Sequence, residues 1–289
     1  MSTEPDATMM NLSEQDYHAD RGNEKPSLSS SIIHLLCDST PLHAWTHHPR
    51  LNPDYEPKYA DYTDLGTIVH SLILQGSHTA EVLDFPDWRT NASKDARQAA
   101  RDTGKIPILK HKWANVLAMV EGVQRQLEDH KTAKNAFKNG LAEQSFRWHA
   151  DGIHFRSRLD YVAQSMDQIW DLKTTGISAN PDVFGRQMFA NGLDIQAALY
   201  RQAVRAFTES LPVFRFVVCE TEKPYAVSVI QPDAGVLMLA DKKIEYAKEL
   251  WKRCLDSGVW PGYAPVTHPA ELPEWEEKRW LAREEAACL

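Results

Sequence analysis

The stretch IHFRSRLDYVAQSMDQIWDLKTT (residues 153–175) decides the fold of this chain. Apolar and polar residues alternate over 153–164 and again over 168–175, a period of two that is typical of β-strands. The short polar segment 165–167 between them is typical of a hairpin turn. The sequence therefore predicts two neighbouring antiparallel strands.

The second strand carries two charged residues on one face. Residues two apart in a strand share a face, so Asp171 and Lys173 point the same way. The hairpin brings Asp160 of the first strand alongside Asp171, and two close carboxylates repel unless a cation lies between them. A hard divalent ion such as Mg²⁺ would relieve that repulsion, and Lys173 beside it could act on a water or a phosphate. The alternative is a surface ion pair of Asp171 and Lys173 with Asp160 at a strand end, because D-x-K is a short pattern.

The surrounding sequence extends this hairpin into an α/β domain. A further strand is predicted immediately before it, at 142–150, and two more follow it, near 213–220 and 225–231. Apolar residues recur at helical spacing in the flanking segments, which are 27–40, 64–76, 110–131, 181–208 and 234–258. We expect one central mixed β-sheet flanked by helices.

The two ends of the chain lack such periodicity. Residues 1–27 are polar and are predicted to be disordered or loosely packed. The folded domain is expected to span 28–280, with 281–289 as a C-terminal tail. The proline-containing stretch 43–57 is expected to be a loop.

Composition excludes several classes of protein. No apolar run approaches the roughly 20 residues that span a bilayer, and the acidic N-terminus is not a signal peptide. We therefore expect a cytoplasmic protein without a membrane partner. The net charge of −8 argues against a sequence-independent nucleic-acid binder, but not against an enzyme with a local basic groove. The sequence contains no P-loop and so encodes no helicase motor.

The four cysteines are widely scattered. None forms a CxxC pair, which argues against a structural zinc site, and the cysteines are Cys37, Cys219, Cys254 and Cys288. The stretch HADG (149–152) is similar to the K-x-D-G motif of nucleotidyltransferases, but His149 stands where that chemistry needs lysine.

The spacing of Asp160, Asp171 and Lys173 resembles the D-x(n)-[DE]-x-K signature of the PD-(D/E)xK nuclease superfamily. Further segments resemble, in the expected order, elements of its RecE-type and lambda-exonuclease-like branch. They are GTIVHSLIL (66–74), AEQSFRW (142–148), LDIQAALYRQA (193–203), VWPGY (259–263) and LPEW (272–275). The resemblance covers roughly residues 27–280 and implies a restriction-endonuclease-like core.

The resemblance implies a role for each residue of the central motif. Asp160 and Asp171 would be the main Mg²⁺ ligands, with the Leu172 carbonyl contributing. Lys173 would be the catalytic lysine. His70 would be a further ligand to the metal or its water, although a lone histidine on an apolar helix is more often a core residue.

The outer residues have roles that the resemblance implies more loosely. Glu143 would lie in the catalytic site beside the metal, or else be a solvated strand end. Gln196 and Tyr200, one helical turn apart, would position DNA or support the metal ligands, or else form a surface pair. Arg156 and Arg158 share the face of Asp160 and could contact phosphate, or could only neutralise that carboxylate.

The function implied is that of a Mg²⁺-dependent DNA exonuclease of phage or prophage type, with Mn²⁺ as an alternative ion. No iron–sulfur cluster is expected, because no two or three of the four cysteines lie close in sequence. It would degrade linear duplex DNA from its ends for recombination by single-strand annealing, in the cytoplasm of a bacterial host. A single-strand annealing protein and a ring-forming homo-oligomer are the implied partners. The alternatives are a DNA-binding protein on a nuclease-like fold without turnover, and a structure-specific nuclease acting on single-stranded DNA or RNA.

Overall fold

The structure, a computed structural model, describes residues 7–56 and 61–287. Over those residues a seven-stranded mixed sheet forms the centre of the molecule, and a separate pair of parallel strands lies outside it. The strands are β1 (Ala7–Met10), β2 (Ser27–Leu28), β3 (Ala80–Leu83), β4 (Ile106–Leu109), β5 (Gly140–Ala150), β6 (Ile153–Ala163), β7 (Gln168–Thr175), β8 (Val213–Glu220) and β9 (Val227–Ile230).

The order across the central sheet is β1-β5-β6-β7-β8-β9, with β2 paired to β6 beside this path. β5, β6 and β7 form the predicted antiparallel meander. β8 runs parallel to β7, and β9 returns antiparallel to β8. The parallel connection requires a helical crossover between β7 and β8, and the chain supplies it between residues 181 and 208.

Helices pack on both faces of this sheet. They are α1 (Glu14–His18), α2 (Ser30–Asp38), α3 (Pro41–Thr46), α4 (Asp61–Gln75), α5 (Asn91–Asp102), α6 (Lys110–Glu128), α7 (Pro181–Ala190), α8 (Leu193–Thr208), α9 (Ala234–Ser257) and α10 (Glu274–Ala287). The apolar sides of α2, α7, α8 and α9 form one core with the sheet. Those of α4 and α6 form a second core. The predicted mixed sheet flanked by helices is confirmed.

The prediction of a disordered or loosely packed N-terminal segment is wrong for residues 7–27. β1 pairs with β5 from Ala7 opposite Trp148 to Met10 opposite Ser145. Tyr17 is buried as well. This segment has no periodicity because it is held by a sheet edge and by polar side chains rather than by an apolar face of its own. Residues 1–6 lie outside the described residues.

Three smaller expectations also need correction. The helix predicted over 181–208 is two helices, because Gly192 adopts a left-handed φ of +65° and a Cβ there would lie 2.6 Å from His34. The loop predicted at 43–57 begins inside helix α3. The boundary predicted at residue 280 falls within α10, a helix without buried residues. In the described part of the chain, no helix combines the length and apolarity needed to cross a bilayer.

Candidate active site

Asp160 lies at the point where the pairing of β6 with β7 ends. Tyr161 is opposite Trp170, and the next residues in this register are Asp160 and Asp171. The backbone N–H of Leu172 donates to Oδ2 of Asp160 at 2.8 Å. The Asp160 side chain thus accepts a hydrogen bond from Leu172 where the next backbone contact between β6 and β7 would lie. The two strands separate around the carboxylates of Asp160 and Asp171.

Glu143 lies on the other side of Asp160, on β5. The residues before and after Glu143 pair with β6 in a register that places Glu143 opposite Asp160. Its φ is +56°, in the left-handed region that non-glycine residues rarely adopt. Such a backbone costs on the order of 1–3 kcal/mol and is found most often at functional sites. Arg158 holds the side chain, with Nε donating to Glu143 Oε2 at 2.9 Å.

His70 reaches the same place from α4. Its neighbours Ile68 and Val69 are buried in the second core. The ring of His70 does not join them, because Nδ1 lies 3.5 Å from Oδ2 of Asp160. One ligand atom from each of His70, Glu143 and Asp160 lies within 4.8 Å of the others. The structure thus brings together one residue from a helix and two from neighbouring strands.

Asp171 lies beside this group of three but has partners of its own. The side chain is fully buried, and Lys173 Nζ forms an ion pair with its Oδ1. Gln196 Nε2 donates to its Oδ2 at 3.1 Å and contacts the Tyr200 hydroxyl at 2.9 Å. Direct coordination of a metal by Asp171 stays a prediction, as does coordination by the Leu172 carbonyl. Gln196 and Tyr200 support Asp171 from α8, and Tyr200 is itself buried.

Burial raises the pKa values of the acidic groups in the site. It is the main reason that the pKa of Asp171 rises to about 7, and the charge of Asp160 adds to it. The pKa of Glu143 also rises to about 7, through burial and then through Asp160. The pKa of Asp160 is raised by burial as well. The site therefore holds more negative charge than its surroundings stabilise.

The pKa values of the basic groups, His70 and Lys173, shift in a way that fits metal binding. Burial, followed by the charge of Lys173, lowers the pKa of His70 to about 4, so the ring is neutral at pH 7. Burial also acts to lower the pKa of Lys173, but Asp171 and Asp160 outweigh it and the pKa lies above its usual value. Lys173 is therefore protonated at neutral pH.

These donors fit a hard divalent cation. Carboxylate oxygens are the ligands that Mg²⁺ and Mn²⁺ prefer, and a neutral imidazole can complete the set. A cation would also offset the repulsion that raises the pKa of the carboxyl groups. His70, Glu143 and Asp160 would hold it, with Asp171 next to them. The predicted absence of an iron–sulfur cluster stays a prediction.

The two arginines predicted to contact DNA are held by the protein itself. Arg156 is buried, and its Nη1 donates to the Ser27 carbonyl at 2.6 Å and lies 3.3 Å from Asp20 Oδ1. Arg158 bonds to Glu143 and, through Nη1, to the Leu12 carbonyl at 2.8 Å. These contacts favour the alternative that both arginines neutralise charge, although their partners are Asp20 and Glu143 rather than Asp160.

The N-terminal segment contributes contacts to the site that were not predicted from the sequence. Leu12 contacts Arg158, and the charge of Glu14 adds to the pKa values of His70 and Glu143, although burial dominates both. The only sequence signal for this contribution was the Ser13 N-cap before α1, where Ser13 Oγ accepts from the Asp16 N–H.

Comparison with known proteins agrees with this geometry. Residues 37–267 match the model of a family described as a PDDEXK-like domain of unknown function, DUF3799. No curated protein matches the sequence significantly. A crystal structure of a "Putative exonuclease" from Eubacterium rectale aligns over 91% of this chain and 97% of that one, with a TM-score of 0.58 and 16% identity.

A phage-related exonuclease from Haemophilus somnus 129PT matches 71% of this chain and 98% of that one at 14% identity. Its TM-score of 0.29 is too low to indicate a shared fold. The family match covers most of the chain and includes every residue of the candidate site apart from the N-terminal contacts. The chain belongs to the DUF3799 family of PDDEXK-like domains, and so to the PD-(D/E)xK nuclease superfamily.

Proposed function

We propose that this protein is a divalent-metal-dependent DNA exonuclease that hydrolyses phosphodiester bonds from the ends of linear duplex DNA. Two sets of residues that lie together at the opening in the sheet support this proposal. One is the set of oxygen and nitrogen donors from His70, Glu143 and Asp160. The other is the ion pair of Lys173 with buried Asp171.

Each residue has a task that follows from its surroundings. A divalent cation, when bound, would lower the pKa of a water and neutralise charge on the phosphate. Lys173 stays protonated, so it contributes positive charge to the phosphate oxygens as negative charge develops on them. Asp171 fixes the position of that ammonium group. Gln196 and Tyr200 in turn hold Asp171, which explains their place on the buried side of α8.

The preference for DNA ends rests on the resemblance to RecE-type nucleases. The same resemblance supports Mg²⁺ as the ion, with Mn²⁺ as an alternative. It also supports an enzyme of phage or prophage type that acts in the cytoplasm of a bacterial host. We further propose that the product strand passes to a single-strand annealing protein and that several copies of the chain form a ring. Light scattering of the purified protein, and co-purification with an annealing protein encoded nearby, would test these two partners.

The decisive experiment is a time course on end-labelled linear duplex and on a covalently closed circle, with Mg²⁺ and with EDTA. We expect mononucleotides or short products from the linear DNA, an intact circle, and no reaction in EDTA. Cleavage of the circle would show an endonuclease. Degradation of single-stranded DNA or RNA but not of duplex would favour the other substrates. Binding without cleavage in either Mg²⁺ or Mn²⁺ would favour a protein without turnover.

A further inference from the structure

The N-terminal segment Ala7–Leu28 lies against the candidate metal centre rather than apart from it. A buried polar cluster holds its far end. Ser27 N–H donates to Asp20 Oδ2 at 2.9 Å, and Ser27 Oγ donates to Asp20 Oδ1 at 2.6 Å. Arg156 Nη1 on β6 contacts both residues, and His48 Nε2 lies 3.1 Å from the Ser27 carbonyl. The segment is thus fixed to the sheet by fully buried groups.

The near end of the segment contacts the site through one arginine. Arg158 Nη1 donates to the Leu12 carbonyl at 2.8 Å and to Ser145 Oγ at 3.2 Å, while its Nε donates to Glu143 Oε2 at 2.9 Å. The Arg158 side chain is 16% exposed and that of Glu143 is 23% exposed. The planar guanidinium group therefore connects the backbone of the N-terminal segment to a candidate metal ligand.

Glu143 has a left-handed backbone, and Arg158 is the side chain that donates to its carboxylate. A carboxylate on a strained backbone and in a buried setting has other orientations available unless a partner fixes it. Residues that orient a metal ligand from behind typically contribute 10–100-fold to metal affinity. We propose that Arg158 is a positioning residue for Glu143, and that the Leu12 carbonyl of the N-terminal segment helps to hold Arg158 in place. This proposal rests on the proposed function only in taking the centre to bind a divalent ion.

The test is the binding of Mn²⁺ alone, followed by the electron paramagnetic resonance signal of the free ion. Arg158→Met should weaken Mn²⁺ binding by about 10–100-fold. Arg147→Met is the matched control, because Arg147 Nη1 donates to the Gly22 carbonyl at 2.8 Å. That variant loses a contact to the same segment, from the same sheet, but touches no candidate ligand, and its Mn²⁺ affinity should match the wild type.

The same substitution made in the Glu143→Gln variant distinguishes a positioning role of Arg158 from a merely structural one. In Glu143→Gln, adding Arg158→Met should cause no further loss of Mn²⁺ affinity, because the residue that Arg158 positions has lost its charge. An equal loss in both backgrounds would overturn the proposal. Unchanged affinity in Arg158→Met together with a raised KM for DNA would also overturn it, and would make Arg158 a phosphate contact.

Two further measurements deal with a variant that does not fold and with the link between metal binding and DNA hydrolysis. If Arg158→Met does not fold by circular dichroism, Arg158→Lys retains the charge without the planar fork, and it should still bind Mn²⁺ more weakly than the wild type. Wild-type affinity in that variant would contradict the proposal. Mn²⁺ binding by the wild type without any DNA hydrolysis would overturn the proposed function alone. Absence of Mn²⁺ binding by the wild type would contradict the metal centre and this proposal together.

Discussion

Lys173 and Asp171 form an ion pair in which the carboxylate is fully buried and the lysine side chain is 24% exposed. A second pair of the same kind joins Lys243 to Asp194 on the same side of the sheet, at 2.8 Å, with exposures of 22% and 0%. Only the first pair lies beside His70 and Asp160. Variants of the two pairs can therefore separate the contribution of such a lysine to stability from its contribution to the proposed cleavage reaction.

Lys173→Met should lower the cleavage rate by roughly 10²–10³-fold, the loss typical of one donor that stabilises a transition state. Affinity for DNA should change little, since it depends on many phosphate contacts. Lys243→Met, which removes an equivalent ion pair, should reduce thermal stability but leave the rate of the folded protein unchanged. Gel shifts in Ca²⁺ and cleavage assays in Mg²⁺ on both variants check this. Near-normal cleavage by Lys173→Met would remove the main support for the nuclease assignment.

Gln196 should act through Asp171 rather than on DNA. Gln196→Ala removes the hydrogen bond to Asp171 Oδ2, and we expect a loss of about tenfold or more in cleavage rate at unchanged DNA affinity. Gln202 on the same helix offers the control, because its Nε2 bonds to Asp241 Oδ1 at 2.8 Å, away from the site. Gln202→Ala should behave as the wild type. A raised KM for DNA in Gln196→Ala, without a change in kcat, would favour a direct contact with DNA.

Stabilisation by metal should depend on pH in a defined direction. Glu143 and Asp171 have folded-state pKa values of about 7, so at pH 6 protons compete with the metal for these carboxyl groups. In the metal-free protein these raised pKa values favour the folded state at low pH, and that contribution is lost as the pH rises from about 4.5 to above 7. A bound cation offsets the loss. The rise in Tm caused by Mn²⁺ should therefore be larger at pH 8 than at pH 6.

The variant Glu143→Gln is the control for this measurement of the Mn²⁺-induced rise in Tm at different pH values. That variant should show a smaller rise in Tm with Mn²⁺ and a weaker dependence on pH. His70, with a pKa of about 4, is neutral in the folded protein from pH 6 to pH 8, so it adds no slope to the rise in Tm that Mn²⁺ causes. A Tm shift that is larger at pH 6 than at pH 8 would be inconsistent with carboxylate ligands.

The buried cluster around Asp20 should dominate the stability of the N-terminal segment. Asp20→Asn leaves Arg156 buried without its counter-charge, and breaking such a pair costs about 3–5 kcal/mol. Asparagine tolerates the left-handed φ of +55° found at this position, but its NH2 group also replaces one of the two oxygens that accept from Ser27, so the variant removes a hydrogen bond together with the charge. Arg21→Ala, at the neighbouring exposed pair with Asp16, should have little effect. Urea unfolding of both variants, with equal m-values, measures the difference.

Local patterns in the sequence were sufficient to place the central part of the site. The alternation over 153–175 fixed the two strands and the shared face of Asp171 and Lys173. The helical spacing around His70 placed that residue on α4. These features depend on residues within one or two turns or strands of each other, where periodicity carries information.

The remaining parts of the site depend on contacts between distant residues. The left-handed backbone of Glu143 occurs within a strand, opposite Asp160 on β6, and no short segment encodes that setting. The contact of Arg158 with Leu12 joins residues 146 positions apart. Gly192 divides a helix whose periodicity continues on both sides, because the approach of His34 is a tertiary constraint. Tertiary packing, rather than local preference, therefore decides these three features.

The pairing of β1 with β5 also sets the order in which parts of the fold can assemble during synthesis. Met10 meets Ser145, so the first strand waits for a partner that leaves the ribosome 135 residues later. At roughly 5–20 residues per second this delay is on the order of ten seconds. Lys173 emerges later still, so the candidate site stays incomplete in the nascent chain until that residue has been made.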